Sequence, residues 1–385
     1  MIRTPRILVL ILVSAAISQL WARQAGTRKA PGTPPSADVG LLLGLYFPKN
    51  VTWNMLQNAG GDEKWVPEIS LQPHGTYLTF WISRRSGSMT IKPIVGLLVP
   101  RKDGFWRIGS RMVQSAPADD DNFDEYFWAA PAGQKTPPEL PKTDAEINGM
   151  STRLITYAGP EYISYLSHRQ GGAGNWEYQF TYVSPLDHLT KKLSIAQVLG
   201  AQAGANYKKL AKSLDHMNDD LTETQDRDPC NCCTGDENEW GVIHVHDRWE
   251  AYARFHPGTS SSCFQGWQDS VLQTSLPQSL WSGGRSSQPW DASRKQVESA
   301  LKADNESAQH LFLSPRQDVA VALTTNGVVV FDVRNRTQFS VLKKDAFTAP
   351  CIPVSEQWST GKFVATWNAE MQKQKAAVIP QEENR

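Results

Sequence analysis

Leu313–Phe331 reads LSPRQDVAVALTTNGVVVF. Leu313 ends one apolar run, Pro315 opens a polar turn, Val319-Ala320-Val321 forms the next run, and Asn326-Gly327 leads into Val328-Val329-Val330-Phe331. Short β-branched runs between turn residues are the composition of strands, and glycine after Asn or Asp accepts positive φ at little cost. The stretch predicts strand, proline turn, strand, Asn-Gly turn, strand: an antiparallel meander.

The same form recurs at Leu71–Leu78 (LQPHGTYL) and, without the proline, at Trp358–Ala365 (WSTGKFVA). Gln72-Pro73-His74-Gly75 separates Ile69-Ser70-Leu71 from Thr76–Trp81, Lys102-Asp103-Gly104 separates Val95–Val99 from Phe105–Ile108, and Gly171-Gly172-Ala173-Gly174 separates Glu161–Ser167 from Trp176–Val183. In the last of these strands Trp176, Tyr178, Phe180 and Tyr182 alternate with Glu177, Gln179 and Thr181, the period of a half-buried strand. The period then changes. Ile195, Leu199, Ala203, Tyr207, Leu210, Leu214, Met217 and Leu221 recur at spacings of three and four, which predicts one amphipathic helix over 193–221 with Gly200 and Gly204 inside it. Strand pattern resumes at Trp240, turns near Asp247, gives way to a loop-rich stretch over 257–294, and returns from His310 to Trp367.

The Leu313–Val321 turn resembles the Ser-Pro-Asp-Gly turn of β-propeller blades, with Thr325–Phe331 where the next blade strand would follow. That resemblance implies radial repetition, one way for tandem hairpins to cover their edges. The hairpin tips near 103, 173, 247 and 326 lie about 70 to 80 residues apart, against about 40 to 50 for one four-stranded blade. Two separate β domains therefore stand as the competing arrangement. The fold class expected is mainly β, propeller-like or tandem antiparallel β-meanders, with a helical insertion near 193–221.

Composition narrows the function. Of 385 residues, 39 are Lys or Arg and 39 Asp or Glu, so there is no basic block to attract nucleic acid or an anionic membrane. Fourteen tryptophans and 24 prolines suit β structure with many turns. Arg3 and Arg6 precede an apolar run, Ile7–Ile17, followed by small and polar residues, the layout of a secretory signal peptide over 1–22. The run is well short of the roughly 20 residues that span a bilayer, so no stable membrane span is expected after cleavage. The chain is expected to be secreted, either periplasmic or extracellular. Asn50-Val51-Thr52, Asn305-Glu306-Ser307 and Asn335-Arg336-Thr337 match the glycosylation sequon. Residues 23–38 read as a flexible leader, 39–128 as an N-terminal β region, 129–148 as a proline-rich connector, 149–367 as a β region carrying the helix and a Cys/His segment, and 368–385 as a polar tail.

The Cys/His segment, Asp228–His256, holds Cys230, Cys232, Cys233, His244, His246 and His256. Thiolates and imidazoles are ligands that zinc and copper prefer, but the spacing matches no standard zinc module. In an exported protein cysteines usually pair, and Cys263 and Cys351 are partners for two of the clustered three. Disulfides among Cys230, Cys232, Cys233, Cys263 and Cys351 are the first expectation, with no cofactor. Zinc or copper on the six Cys and His residues is the alternative. A three-residue turn at His246-Asp247-Arg248 would set Val245 opposite Trp249 and His244 opposite Glu250 on the outer face. The Trp176, Tyr178, Phe180, Tyr182 stripe is a candidate sugar-stacking platform or a buried face. Asp119, Asp120, Asp121, Asp124 and Glu125 form an acidic loop without calcium-loop spacing.

Nucleophile elbow, zincin helix, Walker loop and dinucleotide fingerprint are all absent from the sequence. The function expected is an exported, non-catalytic binding or scaffold protein acting on an extracellular ligand or protein through loops at one end of the β scaffold. An extracellular hydrolase of polysaccharide or peptide, with carboxylates brought together by the fold, is the second expectation. A Cys/His metal-binding protein is the third.

Overall fold

The computed structural model describes residues 38–49, 51–53, 75–114, 123–134, 150–170, 177–219, 237–245, 247–255, 268–272, 290–302, 306–335 and 339–380. The strands are β1 (Val39–Phe47), β2 (Thr76–Arg85), β3 (Ser88–Val95), β4 (Leu97–Arg101), β5 (Gly104–Gln114), β6 (Phe123–Pro131), β7 (Met150–Ala158), β8 (Tyr162–Gln170) and β9 (Glu177–Pro185). They continue as β10 (Gly241–Val245), β11 (Arg248–Phe255), β12 (Gln268–Leu272), β13 (Ala308–Leu313), β14 (Val319–Thr324), β15 (Gly327–Asp332), β16 (Ser340–Ala346) and β17 (Ile352–Thr360). Four helices are described: α1 (Ile195–Leu199), α2 (Ala201–Asp219), α3 (Trp290–Lys302) and α4 (Lys362–Lys373).

The meander read first forms as its residues dictate. β13, β14, β15 and β16 pair in sequence order, with Val321 opposite Phe312 and Val330. Its proline turn is tied by Ser314, whose Oγ accepts from the Asp318 and Val319 amides and donates to Asp318 Oδ1 at 2.7 Å. Arg84 of β2 completes the turn by pairing with Asp318.

The chain is mainly β, in several antiparallel sheets. β17 returns to pair with β1, giving the order β17-β1-β2-β3. β4 to β9 form a six-stranded sheet of two meanders, whose joint is a parallel pairing of Phe123 with Met150 and Asp124 with Ser151. β10, β11 and β12 make a three-stranded sheet. β6 runs to Pro131 and pairs with β7, so strands from either side of 129–148 share one sheet.

Apolar clusters join successive meanders. All nine residues of β1 are buried because both faces of its sheet are covered. Leu41, Leu43 and Phe80 pack on Val319, Val321 and Val330, while Leu42 and Trp81 pack on Leu98, Val364 and Met371. Each fully buried leucine contributes about 1.5–3 kcal/mol relative to exposure. Leu97, Ile108 and Phe127 meet Ile155, Ile163 and Tyr182 between the halves of the long sheet. Tyr157 and Val183 meet Val242, Trp249 and Ala251, with Ile195, Ala203 and Tyr207 of the helices alongside. Val297 and Leu301 of α3 cover Leu311, Leu313 and Ala320.

Four expectations need correction. The helix over 193–221 is two helices. α1 is closed at its start by a capping box between Ser194 and Gln197, and it ends at Gly200, where φ is 93° and ψ 166°. That backbone region is essentially confined to glycine. The apolar spacing runs on across the break because both pieces turn Ile195, Ala203 and Tyr207 to one core. Gly200→Ala therefore loses about 1–3 kcal/mol of stability, although space for a methyl is open. In an unbroken helix the same change would gain about 1 kcal/mol. The sign of the shift in urea midpoint decides between the two.

Trp358–Ala365 is not strand, turn, strand: β17 stops at Thr360, Gly361 turns with φ 59°, and α4 begins. Val364, Trp367 and Met371 lie at helical spacing and their burial wins over the local turn resemblance. α4 also takes in 368–373, read above as tail, and Lys92 Nζ caps its end by donating to the Met371 carbonyl at 2.8 Å. The 257–294 stretch contains β12 and the start of α3.

Candidate functional site

Where β4, β7 and β17 end, their turns enclose a cleft of about 620 Å³. One wall is the β4–β5 turn, Pro100 to Asp103; the second is Pro160 and Glu161 between β7 and β8. The third is Trp358, Ser359 and Thr360 with Phe363 and Trp367 of α4. Phe363 and Trp367 are four residues apart and share a helix face. Phe363 is 56% exposed. Trp367 is held by Phe105, edge-on at 5.4 Å, and by Trp81, tilted at 6.1 Å.

The charged groups of the cleft are ordered around another indole. Arg101 lies over the Trp106 ring at 4.5 Å and reaches Asp187 at 3.8 Å. Asp103 accepts from Trp106 Nε1 at 3.2 Å. Asp103 and Glu161 are exposed.

Trp358 connects this surface to the interior. Its Nε1 donates to Glu356 Oε1 at 2.7 Å, and Trp249 Nε1 donates to Glu356 Oε2 at 3.1 Å. Glu356 is buried at 3% exposure, so one carboxylate positions two indoles. Trp358 is 7% exposed, so with its N–H turned inward it lines the cleft without a side-chain donor to offer. Burial first, and then the nearby Glu356, holds the Tyr157 hydroxyl far above its usual pKa.

The β10–β11 hairpin corrects the reading of His244. Val245 pairs with Arg248 and His244 with Trp249, so the turn has two residues and the register is one residue off the expectation. A single slip exchanges faces, and His244 moves from the outer face to the face of Trp249. The physical reason is Asp247, which takes φ 63°, a conformation Asp tolerates better than most residues. Its carboxylate is buried, accepts from the Leu311 amide at 2.8 Å and pairs with Arg294 of α3. Burial raises the Asp247 pKa, while Arg294 opposes that rise.

His244 then meets His310 of β13, with the two Nδ1 atoms 3.1 Å apart, and lies edge-on to Trp249 and tilted against Phe312, each at 4.9 Å. One Nδ1 donates and the other accepts, so the accepting ring is neutral. Burial, and then His310, holds His244 well below its usual pKa. Burial, and then Arg294, pushes His310 down to about 4. Between pH 6.5 and about 4 the unfolded chain binds a proton that folded His310 does not. Stability is expected to fall as pH drops through that window, on the order of 2–3 kcal/mol from His310, with His244 adding loss of the same sign. Urea midpoints measured across the window in the protein and in His310→Phe check this; equal pH slopes in both would contradict it.

Cys230, Cys232, Cys233, Cys263, His246, His256 and Trp176 lie outside the described residues. Cys351 is buried in the core and has no disulfide partner among the described residues, and burial pushes its pKa well up. Among the described residues no three His, Cys, Asp or Glu side chains gather as a metal cage. Tyr178 lies on β9, Phe180 packs against the core and Tyr182 is buried beside Tyr165, so Phe180 and Tyr182 face inward. Asp124 and Glu125 belong to β6 rather than a loop: Asp124 pairs with Arg153 at 3.2 Å and buried Glu125 accepts its amide at 2.8 Å. His310, Arg294, Glu356 and the cleft aromatics were not anticipated. Glu356 alone left a trace, as a charged residue between Val354 and Trp358 on one strand face. No family model, no curated protein and no solved structure matches this chain.

Proposed function

We propose that the chain is an exported, non-catalytic binding module, and that its ligand occupies the cleft between the β4–β5 turn, the β7–β8 turn and the β17–α4 corner. The observation that carries this reading is the half-exposed Phe363 ring beside Trp358 and Trp367 in a concavity of about 620 Å³. That volume falls in the range of small-ligand sites, which combine aromatic walls with a few polar groups. The carboxylates of the cleft, Asp103 and Glu161, are exposed. General acid catalysis ordinarily uses a carboxyl placed in a shielded environment, so their position supports binding over hydrolysis.

The same reading makes the scaffold a propeller-like ring of five meanders. Support comes from the return of β17 to β1, from the packing of β17 against β4, β7 and β10, and from apolar clusters between successive meanders. In such a ring, strand-end turns gather at one face, where loops from distant parts of the chain can converge on one ligand.

The test displays the protein and its Phe363→Ala variant to a mixed array of oligosaccharides and peptides. Retention by the protein and loss by the variant are expected, with unchanged unfolding midpoints because Phe363 is exposed. Equal retention by both, or retention by neither, overturns the cleft as the functional site.

A further inference from the structure

Resting on the cleft as the binding site, we propose that its ligand is an uncharged oligosaccharide, with sugar ring faces on Phe363 and Trp367 and hydroxyls toward the polar rim. Three features of the site converge on this chemistry. First, Phe363 and Trp367 repeat at one helical turn, and Phe363 leaves much of its surface open to a flat ligand. A pyranose presents a face of C–H bonds, which the negative face of an aromatic ring attracts, and a rim of hydroxyls that seek polar partners.

Second, Trp358 commits its only donor to Glu356 at 2.7 Å. Trp358, 7% exposed, therefore brings no side-chain donor to the cleft, and polar recognition falls to the rim groups Thr360, Asp103, Glu161 and Lys102. Such a rim suits a ligand whose polarity is spread as many hydroxyls rather than concentrated in one charged head.

Third, the charges of the cleft balance. Arg101 and Lys102 face Asp103 and Glu161, and Arg101 is already engaged by the Trp106 ring and Asp187. A polyanion gains little net attraction from such a lining, and a polycation likewise.

Calorimetric titration of the purified protein with soluble hexaoses of glucose, xylose and N-acetylglucosamine tests the proposal. At least one is expected to bind, Phe363→Ala to weaken it about tenfold or more, and Phe363→Tyr to stay within about twofold. Raising salt from low to high should change the affinity less than about twofold, because no counterions are released by an uncharged ligand. Phe363-dependent capture of peptides with no hexaose bound would overturn the carbohydrate while leaving the cleft intact. Hexaose binding that ignores Phe363→Ala would overturn both, and binding confined to acidic polysaccharides with steep salt dependence would overturn the uncharged class.

Discussion

Asp247→Ala is expected to lower unfolding stability by about 3–5 kcal/mol. The buried carboxylate does three jobs at one turn. It accepts from the Leu311 amide at 2.8 Å, pairs with Arg294, and belongs to a residue that tolerates φ 63°. Alanine leaves a buried amide without that acceptor, which costs about 1–3 kcal/mol. It also removes one anion from Arg294, whose remaining carboxylate partner among the described residues is Glu298 at 2.8 Å, and loses the tolerance of the left-handed region that Asp has over Ala. Asp247→Asn keeps an acceptor for Leu311 and tolerates the backbone, so a loss of about 1–2 kcal/mol is expected. Urea unfolding of the two variants separates the ion pair from the amide bond. Equal losses would show that Leu311 gains nothing from Asp247.

Glu356→Ala is expected to cost about 3–5 kcal/mol, since two indole N–H groups lose the carboxylate that holds them and a cavity opens behind β17. Glu356→Gln is the more informative change. Glutamine can offer its carbonyl to one indole while its amide presents a donor to the other, and a donor facing a donor costs about 1–3 kcal/mol. Because Trp358 is the inner wall of the cleft, the Gln variant should also weaken ligand binding at a pH and temperature where it is fully folded. Loss of stability with unaltered affinity would make Glu356 a structural residue alone.

Local chemistry made the meanders readable and left the site hidden. Leu313–Phe331 contains its own strands and turns, and so does the Gly104 hairpin, because both are short-range patterns. Gly200 was visible, but its conformation was not: a glycine inside an apolar period fits a continuous helix until the backbone is seen. His244 was misplaced because one residue in the length of a turn reverses the faces of a strand, and Asp247 decided that length. The cleft draws on residues 100–103, 160–161 and 358–367, separations at which no sequence pattern operates. The Cys/His segment, prominent in the sequence, contributes His244 to a histidine pair whose other member, His310, stands far along the chain.

Hydrogen–deuterium exchange of the purified protein, with and without a saturating hexaose selected by calorimetry, tests the cleft most directly. The account expects slowed exchange in peptides covering 100–104, 160–162 and 358–367, and unchanged exchange in β13 to β16. Bound hexaose with exchange unaltered in those three segments, and slowed elsewhere, would contradict it.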